Sequence, residues 1–376
     1  MRLLRAWEQY WFRPAPLFNL GFVRLVAVGY QLYHLATLRP RILFGELAAL
    51  PESLYQPLVV MRVLTLPFGT RYRPPEDVVV AIYWLTLSIG ILAFIGWFTR
   101  FSLLLFTAGS VFLQAFEYSF TEVHHAEAIV MITLAMLALS PSGAALSFDD
   151  LRRRLRAADR GGRELFDSLS DQSRFARWPL LVVQWMFALI YLSAAFHKLL
   201  ASGLDWMNGW TLQYYMLMDG MRWGNTVSGA GPAYSAEPSV ALWIGQYHTL
   251  ATIASWGSML FESTFWLAVV LPPLMPVYLL VGTAFHVAIY YIQRAPFLSF
   301  VWLYAVFVPW DDVFRRLGVR IAGHLDRPVR HYDPASRRSV RKAMLIRYFD
   351  WVGLTIFSAR VPPVEGRAST KLSYPH

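Results

Sequence analysis

The stretch Trp178–Trp206, WPLLVVQWMFALIYLSAAFHKLLASGLDW, decides how the rest of the chain is read. No Asp, Glu, Lys or Arg interrupts it before Lys198. Roughly twenty apolar residues in a helix match the hydrocarbon thickness of a bilayer. A lysine near the end of such a run must be paired, wetted or kept neutral, because an amine at membrane depth is costly, and that makes Lys198 a functional-site hypothesis from the outset. The competing interpretation is an anchor that snorkels to the headgroups.

Composition supports the same solvent. Of 376 residues, 56% are hydrophobic, 16% aromatic and only 15% charged, too apolar for an ordinary soluble domain. The net charge of +10 does not point to nucleic acid, since the arginines flank the apolar stretches, where they act as topology signals and contacts to anionic lipid. Cysteine is absent, which excludes disulfides, thiolate nucleophiles, iron–sulfur ligation and cysteine-containing zinc sites. Redox chemistry would have to reside on a bound cofactor. The N-terminus, MRLLRAWEQYWFRPAP, lacks a compact apolar core followed by small residues, so no cleaved signal peptide is expected.

Apolar segments fall at roughly 17–38, 77–98, 101–117, 124–141, 178–200, 244–270, 272–293 and 296–310. The expectation is an all-α integral membrane protein of about eight transmembrane helices, bundled around an outward-opening intramembrane cavity. Arg2, Arg5, Arg13, Arg100, the eight arginines of Arg152–Arg177 and the tail after Trp310 would share one side. This bias places both termini in the cytoplasm. The segment 39–76, with five arginines on the other side, is read as interfacial or re-entrant. A membrane domain over 1–312 and a basic cytoplasmic tail over 313–376 follow.

Polar residues fall on stripes. Gln184, Tyr191 and Lys198 recur at i, i+7, i+14, as do His248, Ser255 and Glu262; His286, Tyr290 and Gln293 lie at i, i+4, i+7. Lipid offers such stripes no partners, so they must face one another or a wet cavity. The topology puts His124, His125 and Lys198 at one outer level. Adjacent histidines point about 100° apart, which argues against their binding one metal, and no metal site is expected. Taken singly, each Gln, Tyr, Ser or His also serves as interhelical hydrogen-bond glue.

The runs YLSAAFHKLLASGLDWMNGW, MLFESTFWLAVVLPP and FHVAIYYIQRAPFLSFVWLYAVFVPWD, in this order, resemble the HTTM domain, the membrane module of vitamin K-dependent γ-carboxylases and many bacterial proteins. The block SFTEVHHAEAIVMITLAMLALSPSGAALSFDD resembles the same domain's span with a leading histidine and a trailing Ser-x-Asp, so the likeness covers about 15–312. The resemblance implies that Lys198 is the base that deprotonates a reduced quinone. It gives His125 a quinone-contacting catalytic role and His124 the place of the family's asparagine. It places His286 at the family's Phe-His, and Gln184, Tyr191, Glu262 and His286 join His124 as cofactor-binding residues. The expected cofactor is reduced vitamin K or menaquinone, with oxygen and carbon dioxide as co-substrates. A desolvated amine can serve as a neutral base near pH 7. Oxygenation of the hydroquinone would then create the stronger base that precedes carboxylation.

On the expected topology almost nothing follows the last span on the extracytoplasmic side, where animal carboxylases carry a long portion that helps bind the peptide, so the resemblance speaks for quinone chemistry more than for protein carboxylation. Expected partners are the lipid bilayer, a quinone and an exported peptide, in a bacterial cytoplasmic membrane. The tail VRHYDPASRRSVRKAMLIRYFDWVGLTIFS resembles the opening of the DCC thioredoxin-like family, with Ser336 and Ser339 at the cysteine positions, which implies a redox-dead remnant; a basic amphipathic tail on the inner leaflet fits it equally. Two other function classes stand beside the enzyme: a non-catalytic HTTM scaffold or maturation factor for an exported peptide, and a haem protein using histidines on different spans.

Overall fold

The computed structural model describes residues 2–37, 47, 50–120, 125–159, 171–225, 240–293 and 297–325. The described residues are helical, with almost no strand. Its helices are α1 (Arg2–Phe12), α2 (Leu17–Thr37), α3 (Val59–Leu64), α4 (Glu76–Ile95), α5 (Thr99–Glu117), α6 (His125–Ala138), α7 (Phe148–Asp159), α8 (Arg177–Ser202), α9 (Trp210–Asn225), α10 (Val240–Gly245), α11 (His248–Thr264), α12 (Leu267–Val270), α13 (Met275–Gln293), α14 (Leu298–Leu303) and α15 (Trp310–Leu325). The two strands described, β1 (Ala15–Pro16) and β2 (Gln172–Ser173), pair antiparallel.

Among the described residues, four helices are long and apolar enough to cross a membrane: Glu76–Ile95, Thr99–Glu117, Arg177–Asn208, where a 3-10 turn extends α8, and Pro272–Ile292. They match the expected second, third, fifth and seventh segments. The other four segments differ for local reasons. α2 is 21 residues long but carries Arg24, Gln31 and His34, all buried against its neighbours. The fourth is described from His125 and is helical for only the 14 residues of α6. The sixth breaks at Phe265–Trp266. There the hydroxyls of Ser263 and Thr264 bond back to the Leu260 carbonyl at 3.3 and 2.5 Å, a competition that bends helices, and Pro272 and Pro273 follow. The eighth is α14 plus a 3-10 turn, Leu298–Phe307, about 15 Å of helix.

α2 runs through the middle of the bundle. Arg24, fully buried, donates to the carbonyls of Ala93 (2.8 Å), Phe94 (2.9 Å) and Leu146 (2.5 Å). A helix leaves its last carbonyls unsatisfied, and here a guanidinium from another helix serves those of α4. Gly96, with φ 72°, closes α4, and a Cβ there would meet Arg24 Nη1 at 2.6 Å. The Ser-x-Asp at 147–149 has a structural task. Ser147 Oγ accepts from the Asp150 amide (2.9 Å) and so caps α7, while Asp149 accepts from the Thr99 amide (2.7 Å) and caps α5.

The helix ends gather at two poles. Asn19–Asp311 (2.8 Å), Leu17–Asp171 and the Arg24 bonds tie one pole, which carries α1, α7 and α15. Tyr83–Leu35 (2.9 Å), Gln56–Ser119 and Ser299–Ala126 (2.9 Å) tie the other. Segment 50–75 packs at this second pole as short helices, with Met61 fully buried and Tyr55 against Phe116 and Phe120. At the first pole, buried Asp150 lies between Arg153 and Arg154, and Arg154 also reaches Asp171. Burial pushes the Asp150 carboxyl up, against the pull of Arg154 and then Arg153.

Candidate functional site

α8 leaves the first pole, where Arg177 donates to the Tyr10 carbonyl, and carries Lys198 about 32 Å toward the second. There Lys198 Nζ meets α11. It donates to Glu262 Oε1 (2.7 Å), Glu262 Oε2 (2.6 Å) and Ser258 Oγ (2.9 Å). Ser258 and Glu262 stand one turn apart at i, i+4, which puts both on the α11 face turned to α8. Trp206, on the 3-10 turn after α8, lies 5.1 Å from the ammonium, within cation–π range. The Glu262 side chain is only 6% exposed and that of Lys198 is 21% exposed, so the cation keeps an open side.

The open side faces a pocket of ≈ 550 Å³ between α8, α9, α11 and α13. Its walls are apolar: Leu212, Met216, Ala254, Phe261, Val281, Ala284, Phe285, Ile289 and Ile292 among them. The polar groups converging on it are Lys198, Glu262 and Ser258, with Tyr215 and Trp206. Gly257 contributes bare backbone, and a Cβ there would meet nothing within 4 Å. This is the build of a site for a lipophilic small molecule with one polar end.

A second polar node lies behind the pocket. Tyr191 Oη is 2.5 Å from His286 Nε2 and 2.6 Å from Tyr304 Oη, all buried. Phe261 and Phe285, which line the pocket, pack on Tyr191 and His286 respectively and separate the node from the space. Gly282 lets Tyr304 in: a Cβ there would lie 2.2 Å from its hydroxyl.

Of the residues singled out in the sequence, the fold brings Lys198 and Glu262 together at the pocket, and Tyr191 and His286 together beside it. Gln184 is elsewhere, donating to the Val306 carbonyl at 2.7 Å. His124 lies outside the described residues, and the side chain of His125, the first residue of α6, does too. The stripe on α11 divides. His248 bonds Gln213 (2.8 Å) and stacks on Trp210 at 3.9 Å, about 21 Å of helix from Glu262, and buried Ser255 Oγ has no hydrogen-bond partner among the described residues. Ser336 and Ser339 are outside the described residues.

Sequence reasoning passed over Ser258, Tyr304 and Arg24, and it reads Trp206 as part of an interfacial aromatic belt. The i, i+4 spacing of Ser258 to Glu262 was a usable signal; Tyr304 and Arg24 act through partners far away in sequence. Among the described residues no group of three His, Asp or Glu is placed to hold a metal ion. Comparison with protein-family models, with curated proteins and with solved structures finds no match.

Proposed function

We propose that the chain is an integral membrane protein that binds a reduced quinone in the pocket beside Lys198 and removes a proton from its hydroxyl. The observation that carries this reading is an ammonium–carboxylate pair set into the wall of an otherwise apolar pocket. Buried ion pairs are poor stabilisers in themselves, so a pair that also opens onto a ligand-sized space invites a chemical role. The walls suit a flat apolar ring and the pair suits a ring hydroxyl. A proton can pass from Lys198 to Glu262 without changing the net charge of the pair; the amine so formed takes the phenolic proton, and the resulting Lys198 ammonium stands beside the quinolate anion, so that pair and ligand together remain neutral. Ser258 fixes the ammonium, and Phe261 and Phe285 keep the pocket apolar. A bound hydroquinone would supply the oxygen-dependent epoxidation chemistry that the likeness to γ-carboxylases implies, with carboxylation of an exported peptide as the coupled step.

The membrane setting rests on the four long apolar helices and on their outward faces, where Trp84, Leu85, Ile91, Val277 and Leu280 stand exposed. Eight crossings and cytoplasmic termini are the topology we assign, with the arginine-rich first pole inside. The bond between Asn19 and Asp311 brings the first and last segments to one pole, as an even number of crossings requires. A reporter fused after Arg163 tests this side directly; an external signal overturns it.

The test of function is turnover of reduced menaquinone or vitamin K to epoxide by the purified protein, with mass spectrometry of its lipid extract for co-purified quinone. Wild type turns over, and neither Lys198→Ala nor Lys198→Arg does, since arginine keeps the charge but cannot act as a neutral base. Full activity in Lys198→Arg ends the base assignment. The same pair joins α8 to α11, which favours the scaffold as second reading; a wild type inactive with every quinol decides for it.

A further inference from the structure

The first pole carries a feature that the quinone site does not use. In α1, Leu3, Leu4 and Trp7 fall on one face with Tyr10 and Trp11, while Arg5, Glu8 and Gln9 take the other. Tyr10 fastens the helix: its carbonyl accepts from Arg177 (2.9 Å) and its hydroxyl from Trp185 Nε1 (2.7 Å). Arg174 adds a bond to Glu8 (3.1 Å) and lies over the rings of Phe12 and Phe175. Thus held, α1 still leaves Leu3 86%, Leu4 74% and Trp7 63% exposed. Beside it opens a hollow of ≈ 850 Å³ whose rim includes Arg13, Arg174, Arg177 and Glu8, three cations to one anion. Arg13 is exposed and has no partner among the described residues.

We infer that α1 lies in the surface of an anionic membrane leaflet, with its Leu3–Leu4–Trp7 face among the acyl chains and a phospholipid phosphate held at the Arg13–Arg174–Arg177 hollow. Apolar residues this exposed at the pole of the bundle need cover, and the exposed apolar flank of α4 continues to the same pole through Ile91, Leu92, Trp97 and Phe98. The excess of arginine beside that face selects a leaflet with negative headgroups over a neutral one. Arg177 and Tyr10 fix α1 in place, so the helix meets the leaflet already oriented. The inference rests on the membrane reading above, and not on the quinone.

Because the chain has no cysteine, each introduced cysteine takes a spin label at one site only. Full-length Leu4→Cys, Trp7→Cys, Arg5→Cys and Trp84→Cys are labelled in nanodiscs of equimolar phosphatidylcholine and phosphatidylglycerol, and accessibility to oxygen and to a water-soluble nickel chelate is measured. Positions 4 and 7 are expected to be oxygen-accessible and chelate-shielded, and position 5 the reverse. Lipid at position 84 with water at 4 and 7 overturns the inference alone, whereas water at position 84 overturns the membrane reading as well. Native mass spectrometry then counts retained lipid. Arg13→Gln/Arg174→Gln lowers the preference for phosphatidylglycerol roughly tenfold, and Arg71→Gln, at the other pole, leaves it unchanged. Equal retention of both lipids by wild type, an unchanged preference in the double variant, or displacement of the lipid by inorganic phosphate each refutes the phosphate site.

Discussion

Arg24 and Lys198 are both cations within apolar helices, and the fold treats them in opposite ways. Arg24 has no exposed surface and fans its guanidinium into three backbone carbonyls, which cannot accept a proton or leave. Lys198 is held by a carboxylate and a hydroxyl, groups that exchange protons, and one side of it faces a pocket. A buried charge therefore says little about role until its partners are known. Carbonyl partners mark a structural bolt, and titratable partners beside an open space mark a site where protons can move.

The comparison breaks most sharply at Arg24. Replacing it with leucine leaves the end of α4 and the Leu146 carbonyl without their donors, and we expect a loss of about 3–5 kcal/mol, read as a collapse of thermal stability in detergent. Arg24→Lys should recover little of this, because an ammonium lacks the planar fork; a wild-type melting temperature in that variant removes the contrast.

At the other cation, Glu262→Leu strands a charge that can partly turn to water through the pocket, so a smaller loss, about 2 kcal/mol, is expected. Lys198→Leu/Glu262→Leu should restore most of that stability while remaining inactive. A double variant as unstable as the single one would make the pair a bolt like Arg24.

Gln184→Met separates the stripe on α8 into its parts. It removes one bond to Val306, costs about 1 kcal/mol and leaves quinol turnover intact. Turnover lost without a stability change would draw Gln184 back into the site. The smallest structural effect is expected of Gly257→Leu, since a helix interior prefers leucine to glycine by less than about 1 kcal/mol and the side chain enters open space. Quinone retention should nonetheless vanish, and a variant that still co-purifies with quinone places the ligand elsewhere.

How much of this was legible differs from residue to residue. The helix of Lys198 could be bounded to within a few residues, 178–200 against Arg177–Ser202, because an apolar run with one late charge leaves little choice. Lys198 and Glu262 stood out for the same reason. Their actual geometry did not, since a stripe drawn at intervals of seven selects Ser255 and His248, whereas a carboxylate and a hydroxyl that grip one amine must sit one turn apart, as Ser258 and Glu262 do. Arg24 was invisible as a bolt because its partners are backbone carbonyls 69, 70 and 122 residues away, and every residue type carries a carbonyl. The division of the sixth segment hung on two hydroxyls turning back on Leu260, a choice of rotamer that composition does not encode.

The Asn19–Asp311 contact, finally, sets a clock. Asn19 donates to Asp311 and accepts from its amide across 292 residues of chain. A ribosome adding roughly 5–20 residues per second needs about 15–60 s to pass from one to the other. For all that time the amide of Asn19 lacks its mate, although Arg24, five residues further on, finds its last acceptor when Leu146 emerges. The order in which the chain emerges thus allows two acts of assembly, an early one around the guanidinium and a late one that latches the start of α2 to the end of the last segment.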